Sequence, residues 1–333
     1  MSGFKKANAN PANRPVFLFC SIIFCKIKMS LVIVGTVAFD AIETPFGKTD
    51  KIVGGAATYA GLAASYLFDR VKLISVIGED FGDNIHMLTD RGMDVEGVEV
   101  ISGGKSFFWS GRYHNDMNSR DTLITDLNVL ADFDPKIPES YQDCEYLLLG
   151  NLTPQVQLDS LARLKHKPKL VVLDTMNFWM DVAIDDLKKV LQKVDVLTIN
   201  DSEARQLSGE YSLVKAAQVI LRMGPEYLII KKGEHGALLF GEGEVFSAPA
   251  LPLADVFDPT GAGDAFAGGF IGYLAKVKSI NFANMRNAII YGSALASFCV
   301  EKFGTDRLQN LSQDEIAERI RQFVTLAKFD IGE

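Results

Sequence analysis

Cysteine, histidine and tryptophan are scarce, at four, four and two in 333 residues. Cys20, Cys25, Cys144 and Cys299 follow no regular spacing, and two of them sit in an unusual leader, so the chain carries no disulfide framework. His86, His114, His166 and His235 stand apart from one another and from any cysteine, which argues against a structural zinc site. A basic excess is also missing: Lys plus Arg is 34 against 42 for Asp plus Glu, a net charge of −8. Binders of duplex nucleic acid release counterions through surplus cations, so nucleic acid is not an expected partner. No apolar run is long enough to span a bilayer, so a membrane is not expected either. What the chain does have is apolar material, 48% of residues against 23% charged, enough to exclude intrinsic disorder.

The longest apolar stretch is Val16–Cys25 (VFLFCSIIFC), preceded by Lys5, Lys6 and Arg14. It resembles a secretory signal, but Lys26 and Lys28 follow at once and no small-x-small cleavage site appears. The simpler expectation is that Met29 is the true start, that residues 1–28 are a non-structural leader, and that the protein is cytoplasmic. One main unit over 29–333 follows.

From Met29 onward, short β-branched runs alternate with helical stretches. Leu31–Gly35, Val71–Ile77, Leu147–Leu149, Leu170–Leu173, Val194–Ile199 and Tyr227–Ile230 are continuous apolar runs, the pattern of parallel strands covered on both faces. Ala56–Leu67, Asp83–Arg91, Val156–Leu164, Ile184–Gln192, Glu203–Leu207 and Leu213–Met223 are the expected crossover helices. Ala262–Ala275, Phe282–Val300 and Asp314–Ala327 complete a helical final third. This rhythm predicts an α/β fold with a mostly parallel sheet between two helical layers. Two segments break it, 41–53 and 100–134. Aromatic and β-branched residues there predict antiparallel strands outside the main sheet, forming a small β lid.

The chemistry concentrates in Asp258-Pro259-Thr260-Gly261-Ala262-Gly263-Asp264 and the apolar helix that follows. Small residues at Gly261, Ala262 and Gly263 expose backbone N–H groups at a helix N-terminus, an anion hole suited to a phosphoryl group. Asp264 in the first turn is a helix cap or a base that accepts the proton of an attacking hydroxyl. Gly268 and Gly269 inside the helix predict close packing against the sheet. Neither common nucleotide fingerprint explains the loop. Gly104-Lys105-Ser106 lacks the leading glycine of a Walker A loop, since position 99 is Glu99. Gly261-x-Gly263 meets Phe266 where the dinucleotide pattern needs its third glycine.

Asp258–Phe270 (DPTGAGDAFAGGF) instead resembles the C-terminal signature of the ribokinase-like (PfkB) carbohydrate kinases, whose core is D-T-x-G-A-G-D. Other elements occur in the family's order. Gly54-Gly55-Ala56-Ala57 opens a helix like the N-terminal Gly-Gly signature, and Val76–Gly82 resembles V-G-x-D-x-x-G. Asn200-Asp201-Ser202-Glu203 matches N-x-x-E, and Lys232-Gly233-Glu234-His235-Gly236 is set against K-x-G-x-x-G. The resemblance spans nearly all of residues 30–328 and implies a ribokinase-like three-layer α/β/α sandwich.

The resemblance further implies ATP-dependent phosphorylation of a hydroxyl on a small carbohydrate or polyol. Asp264 would be the base, and Gly261, Ala262 and Gly263 the anion hole for the transferring phosphoryl. Asn200 and Glu203 would organise Mg²⁺, largely through water, besides serving as a capping pair. Lys232, Gly233 and Gly236 would lie along ATP. Asp40, with Gly54 and Gly55, would bind acceptor hydroxyls, with Arg112 and Asn151 as further candidates. Some relatives need a monovalent cation, and a homodimer through the lid is a further expectation. One position departs from the pattern: Tyr59 stands five residues after Gly54, where the family commonly has Asn. Tyr59 can stack on a ring or narrow the pocket, which widens the acceptor to sugar, polyol or nucleoside, with Phe108 and Trp109 available for a base. A non-catalytic sugar- or nucleotide-binding regulator is the third reading, disfavoured because Asp264, Gly261 and Gly263 are all present.

Overall fold

Each apolar run becomes a strand that feeds both faces of one sheet, because successive side chains of a strand point to opposite sides. Leu31 and Ile33 enter one hydrophobic core, while Val32 and Val34 enter the other. The computed structural model describes residues 29–328, together with Gly3 and Asp330. The leader's apolar run, Val16–Cys25, falls outside those residues.

The main sheet has nine strands. From one edge they are Glu244–Ala248, Ala237–Gly241, Tyr227–Lys231, Val196–Asn200, Leu170–Asp174, Tyr146–Leu149, Leu31–Val34, Val71–Gly78 and Asp94–Ile101. The first two run antiparallel to their neighbours, and the remaining seven are parallel. One core packs against the helices Ala56–Ser65, Ala262–Val277 and Phe282–Cys299, the other against Ile184–Leu191 and Leu213–Leu221. The result is a three-layer α/β/α sandwich. The chain leaves Leu31–Val34 toward Val71–Gly78 on one side and returns on the other with Tyr146–Leu149. That reversal opens a crevice at the carboxyl ends of the strands, the usual ligand position in open α/β sheets. Among the described residues, no helix is long and apolar enough to cross a membrane.

A second, five-stranded sheet comprises Ala38–Thr44, Gly47–Lys48, Ile52–Gly54, Phe108–Tyr113 and Arg120–Asp126. It differs from the sequence expectation in three ways. Its first strand starts at Ala38 and not at residue 41, and Ala38–Thr44 pairs parallel, not antiparallel, with Phe108–Tyr113. Residues 100 and 101 belong to the edge strand of the main sheet, and residues 127–134 hold a short 3₁₀ turn instead of a strand. The glycines of the long helix also pack differently from the expectation. A Cβ on Gly268 would lie 2.1 Å from the Ala60 carbonyl, and one on Gly269 would lie 2.8 Å from Leu295 and 3.0 Å from Gly292. These glycines let three helices approach one another; they do not face the sheet.

Candidate active site

The turn ahead of the helix Ala262–Val277 is held from beneath by Asp258, which is buried. One of its oxygens accepts the Thr260 N–H at 2.9 Å and the other the Gly304 N–H at 2.8 Å. Gly261 then adopts a left-handed conformation, φ 75°, and a Cβ there would sit 2.3 Å from the ring of Tyr59. Glycine is therefore required twice over, by conformation and by the ring beneath it. The Ala262 N–H turns back to the Pro259 carbonyl at 3.2 Å. Among the described residues the N–H groups of Gly261 and Gly263 have no backbone acceptor, so these two, more than Ala262, remain free for an anion.

Asp264 follows in the first turn of this helix. Burial and the nearby charge of Asp174 push its carboxyl up to about 7, against the pull of Lys231 and Arg120. A carboxylate tuned near neutrality suits proton transfer, since it is both available as base and able to keep the proton.

Across the crevice, Asp40 sits in the strand Ala38–Thr44 and is only 4% exposed. Its carboxylate lies directly on Gly54, where a Cβ would be 1.9 Å from Oδ2. Burial, with Asp258 and Asp264 nearby, raises it to about 7, while the Gly55 N–H acts in the opposite direction. Tyr59 is fully buried, and its hydroxyl has no hydrogen-bond partner. Burial and the charges of Asp40 and Asp258 push that phenol well up, so it stays neutral.

The floor is formed by residues that end three consecutive strands, Asp174, Asn200 and Lys231. The Lys231 ammonium donates to Asp174 at 2.8 Å, and Asp174 also accepts the Thr198 hydroxyl at 2.7 Å. A Cβ on Gly263 would lie 3.1 Å from the Lys231 Nζ, so this ammonium stands at the anion loop. Burial works against its charge, but Asp174, Glu203 and Asp264 outweigh that and hold it protonated. Lys231, and not the expected Lys232, is the lysine of this site. Lys232 is half-buried, and its backbone N–H closes the following turn onto the Gly236 carbonyl at 2.8 Å. Counted by spacing, K-x-G-x-x-G also begins at Lys231.

Asn200 and Glu203 form a reciprocal capping box. The Asn200 side chain accepts the Glu203 N–H at 2.8 Å, and Glu203 Oε2 accepts the Asn200 N–H at 2.7 Å. Burial pushes Glu203 up to about 7, partly countered by Lys231. Among the described residues only Glu203 Oε2 accepts a hydrogen bond, so Oε1 stays uncommitted, within reach of the Lys231 charge. No group of three His, Cys, Asp or Glu able to hold a metal occurs among the described residues. One carboxylate, Glu203, with Asn200 beside it is a set that fits Mg²⁺, which keeps most of its water and takes one or two carboxylates plus phosphates.

Two expected residues are not brought in. Arg112 is exposed and forms a fork with Glu43, at 2.8 and 3.4 Å, on the outer face of the second sheet. Asn151 has its amide engaged by the Trp179 Nε1–H at 2.8 Å and by the Met176 sulfur at 3.0 Å. The second sheet nevertheless reaches the site. Thr260 donates its hydroxyl to the Tyr113 hydroxyl at 3.1 Å, and Asn118 stands where a Cβ on Gly233 would be 2.5 Å from its Oδ1. Arg120, which sequence reasoning missed along with Asp174 and Lys231, is paired across the strands with Tyr113.

Known proteins resemble the chain in sequence and in fold. The chain is 31% identical over 249 residues to a cytidine kinase of Thermococcus kodakarensis, covering 73% of this chain and 87% of that one. It is 27% identical over 277 residues to a ribokinase of Haemophilus influenzae, covering 79% and 86%. A putative ribokinase II from E. coli, solved with ATP and Mg²⁺, superposes with a TM-score of 0.72 at 20% identity, over 90% of this chain and 99% of that one. The sequence profile of the pfkB family carbohydrate kinases matches residues 29–311. The chain thus belongs to the pfkB family of carbohydrate kinases.

Proposed function

We propose that the protein is an ATP-dependent nucleoside kinase that phosphorylates a ribosyl hydroxyl. The observation that carries this reading is the pairing of Asp264 with the free N–H groups of Gly261 and Gly263, opposite the buried carboxylate of Asp40. Asp264 takes the proton from the attacking hydroxyl, and the loop N–H groups with Lys231 hold charge on the transferring phosphoryl. Bound Mg²⁺ neutralises phosphate charge, and Glu203 and Asn200 would hold it through water. Asp40 is buried with the Gly55 N–H as its hydrogen-bond donor, so it has acceptor capacity for a vicinal diol. A ribosyl group presents that diol.

The nucleoside class is supported by the likeness to a cytidine kinase and by Trp109, which pairs across the strands with Asp40 and so shares its face of the second sheet, whereas Tyr59 is buried under Gly261 and Phe108 packs on the core. In the same reading the second sheet is a lid over the acceptor. Its exposed Leu123 and Ile124, with Leu127 just beyond its last strand, support a homodimer through that lid, which sedimentation would register as twice the chain mass. The test is a panel of cytidine, uridine, adenosine, inosine, ribose and a polyol with MgATP, followed by ADP release. Ribonucleosides should exceed free ribose in kcat/KM by about tenfold or more, because a second bound moiety adds binding energy. Turnover of free sugars alone would replace this reading by the sugar-kinase one.

A further inference from the structure

Gly261 is required in the anion turn for its left-handed φ of 75°, but a glycine fixes no direction by itself. The peptide that joins Thr260 to Gly261 can turn about its flanking bonds at little steric cost, so its orientation must be set from outside. Its N–H is one of the two left open for an anion. The peptide is planar and trans, so its C=O points the opposite way. Whatever grips the Thr260 carbonyl therefore aims the Gly261 N–H.

The grip comes from the end of the helix Phe282–Cys299 and the loop after it. The Phe257 N–H donates to the Val300 carbonyl at 2.9 Å, and the Gly304 N–H donates to Asp258 at 2.8 Å. Residues 257 and 258 are thus docked on 300–304. One bond of this dock reaches further, from the Cys299 thiol to the Thr260 carbonyl at 3.4 Å. Among the described residues that carbonyl has no other donor. The remaining polar groups of Thr260 are also engaged, its N–H by Asp258 at 2.9 Å and its hydroxyl by Tyr113 at 3.1 Å. Cys299 is fully buried. Burial, with Asp258 and Asp264 nearby, pushes its thiol well up, so it keeps the proton it donates.

We propose that Cys299 is a positioning residue for phosphoryl transfer, its thiol fixing the Thr260–Gly261 peptide with the Gly261 N–H turned toward the transferring group. The inference rests on phosphoryl transfer at this loop, and it does not depend on which acceptor is used. The thiol never touches the phosphoryl; it acts through one peptide bond. A thiol is a weak donor, but here it has only to hold one orientation of a peptide already tethered on either side.

The test compares Cys299→Ala with Cys299→Ser, because packing and donation rank them oppositely. A hydroxyl among apolar neighbours is worse filler than a methyl, whereas only the hydroxyl can replace the donor. With MgATP and the accepted acceptor, Cys299→Ala should lower kcat about 10–10²-fold while the KM of ATP moves less than about threefold. Cys299→Ser should recover most of the lost kcat. Infrared spectroscopy gives a readout free of turnover, since S–H stretching falls in a window clear of other protein bands. The band present in wild type and missing from Cys299→Ala should sit at the hydrogen-bonded, low-frequency end of that window. Serine no better than alanine in kcat, or alanine equal to wild type, overturns the proposal. A missing band at the position of a free thiol overturns it too, even if both variants fold poorly. A wild-type chain inert toward every acceptor would sink the phosphoryl-transfer reading and this role with it. That failure is told apart by the S–H band, which stays shifted.

Discussion

The strand Leu170–Asp174 is buried at every position, and the strand Arg120–Asp126 is exposed at every position, yet both lend residues to one crevice. The first sits among neighbours that fix Asp174 through Thr198 and Lys231. The second belongs to a thin sheet whose outer strand gains little from packing. Under the proposed function the difference separates two jobs. Phosphoryl transfer needs preorganised charge, which a rigid, buried floor supplies. Acceptor cover needs a surface that closes and opens, and such elements come from the less stable end of a fold.

Breaking the floor should have the largest effect. Lys231→Met should lower kcat by about 10²–10³ and also destabilise the chain, since it strands Asp174 as a buried, unpaired acid. Adding Asp174→Asn to that variant should recover thermal stability without recovering turnover. Recovery of both would make the pair merely structural.

Next in size is a purely mechanical contrast. Gly268→Val forces side-chain atoms into the Ala60 backbone and should cost about 1–3 kcal/mol or more in chemical denaturation. Leu123→Ser on the outer strand, 48% exposed, should change stability by less than about 0.5 kcal/mol. Equal losses from the two would erase the distinction between the regions.

Charge provides a subtler test. Asp264 is raised to about 7 in the folded chain from an ordinary 3.8, so folding favours its protonated form. That contribution to stability is full below pH 4 and is lost as pH rises through about 7. Asp264→Asn should therefore raise the thermal midpoint at pH 8 and give no gain at pH 4. A midpoint at pH 8 equal to wild type would mean Asp264 carries no burial penalty.

The smallest change is one of motion. MgATP with cytidine should slow amide exchange in 38–54 and 108–126 more than in 170–174, which is already protected. Exchange unchanged in the second sheet at saturating ligands would show static packing and no lid.

The main sheet was legible because burial on both faces demands unbroken apolar runs, as in Leu31–Val34 and Tyr227–Lys231. The edge strand Asp94–Ile101 was missed because its exposed and half-buried positions admit Asp94, Glu96 and Glu99 and dilute that pattern. Asp264, Asp40 and the glycines around them were legible from motif chemistry. Lys231 was not, although it stands two places before Gly233 and closes a strand next to Asn200, as Asp174 does on the other side. The exchange of Arg112 for Arg120 has a different origin. A register shift between Ser110 and Gly111 changes which residues of the second sheet point inward, and no local pattern reveals a bulge.

The most direct measurement is kcat/KM against pH for wild type and Asp264→Asn, with MgATP and the accepted nucleoside. Asp264, pushed up to about 7, must lose its proton to act as base. Wild-type kcat/KM should therefore rise through about pH 7 to a plateau, and Asp264→Asn should run about 10²–10⁴ lower with that rise removed. A flat wild-type profile between about pH 5 and 9, or a variant retaining near wild-type turnover, would contradict a base at the head of the Ala262–Val277 helix.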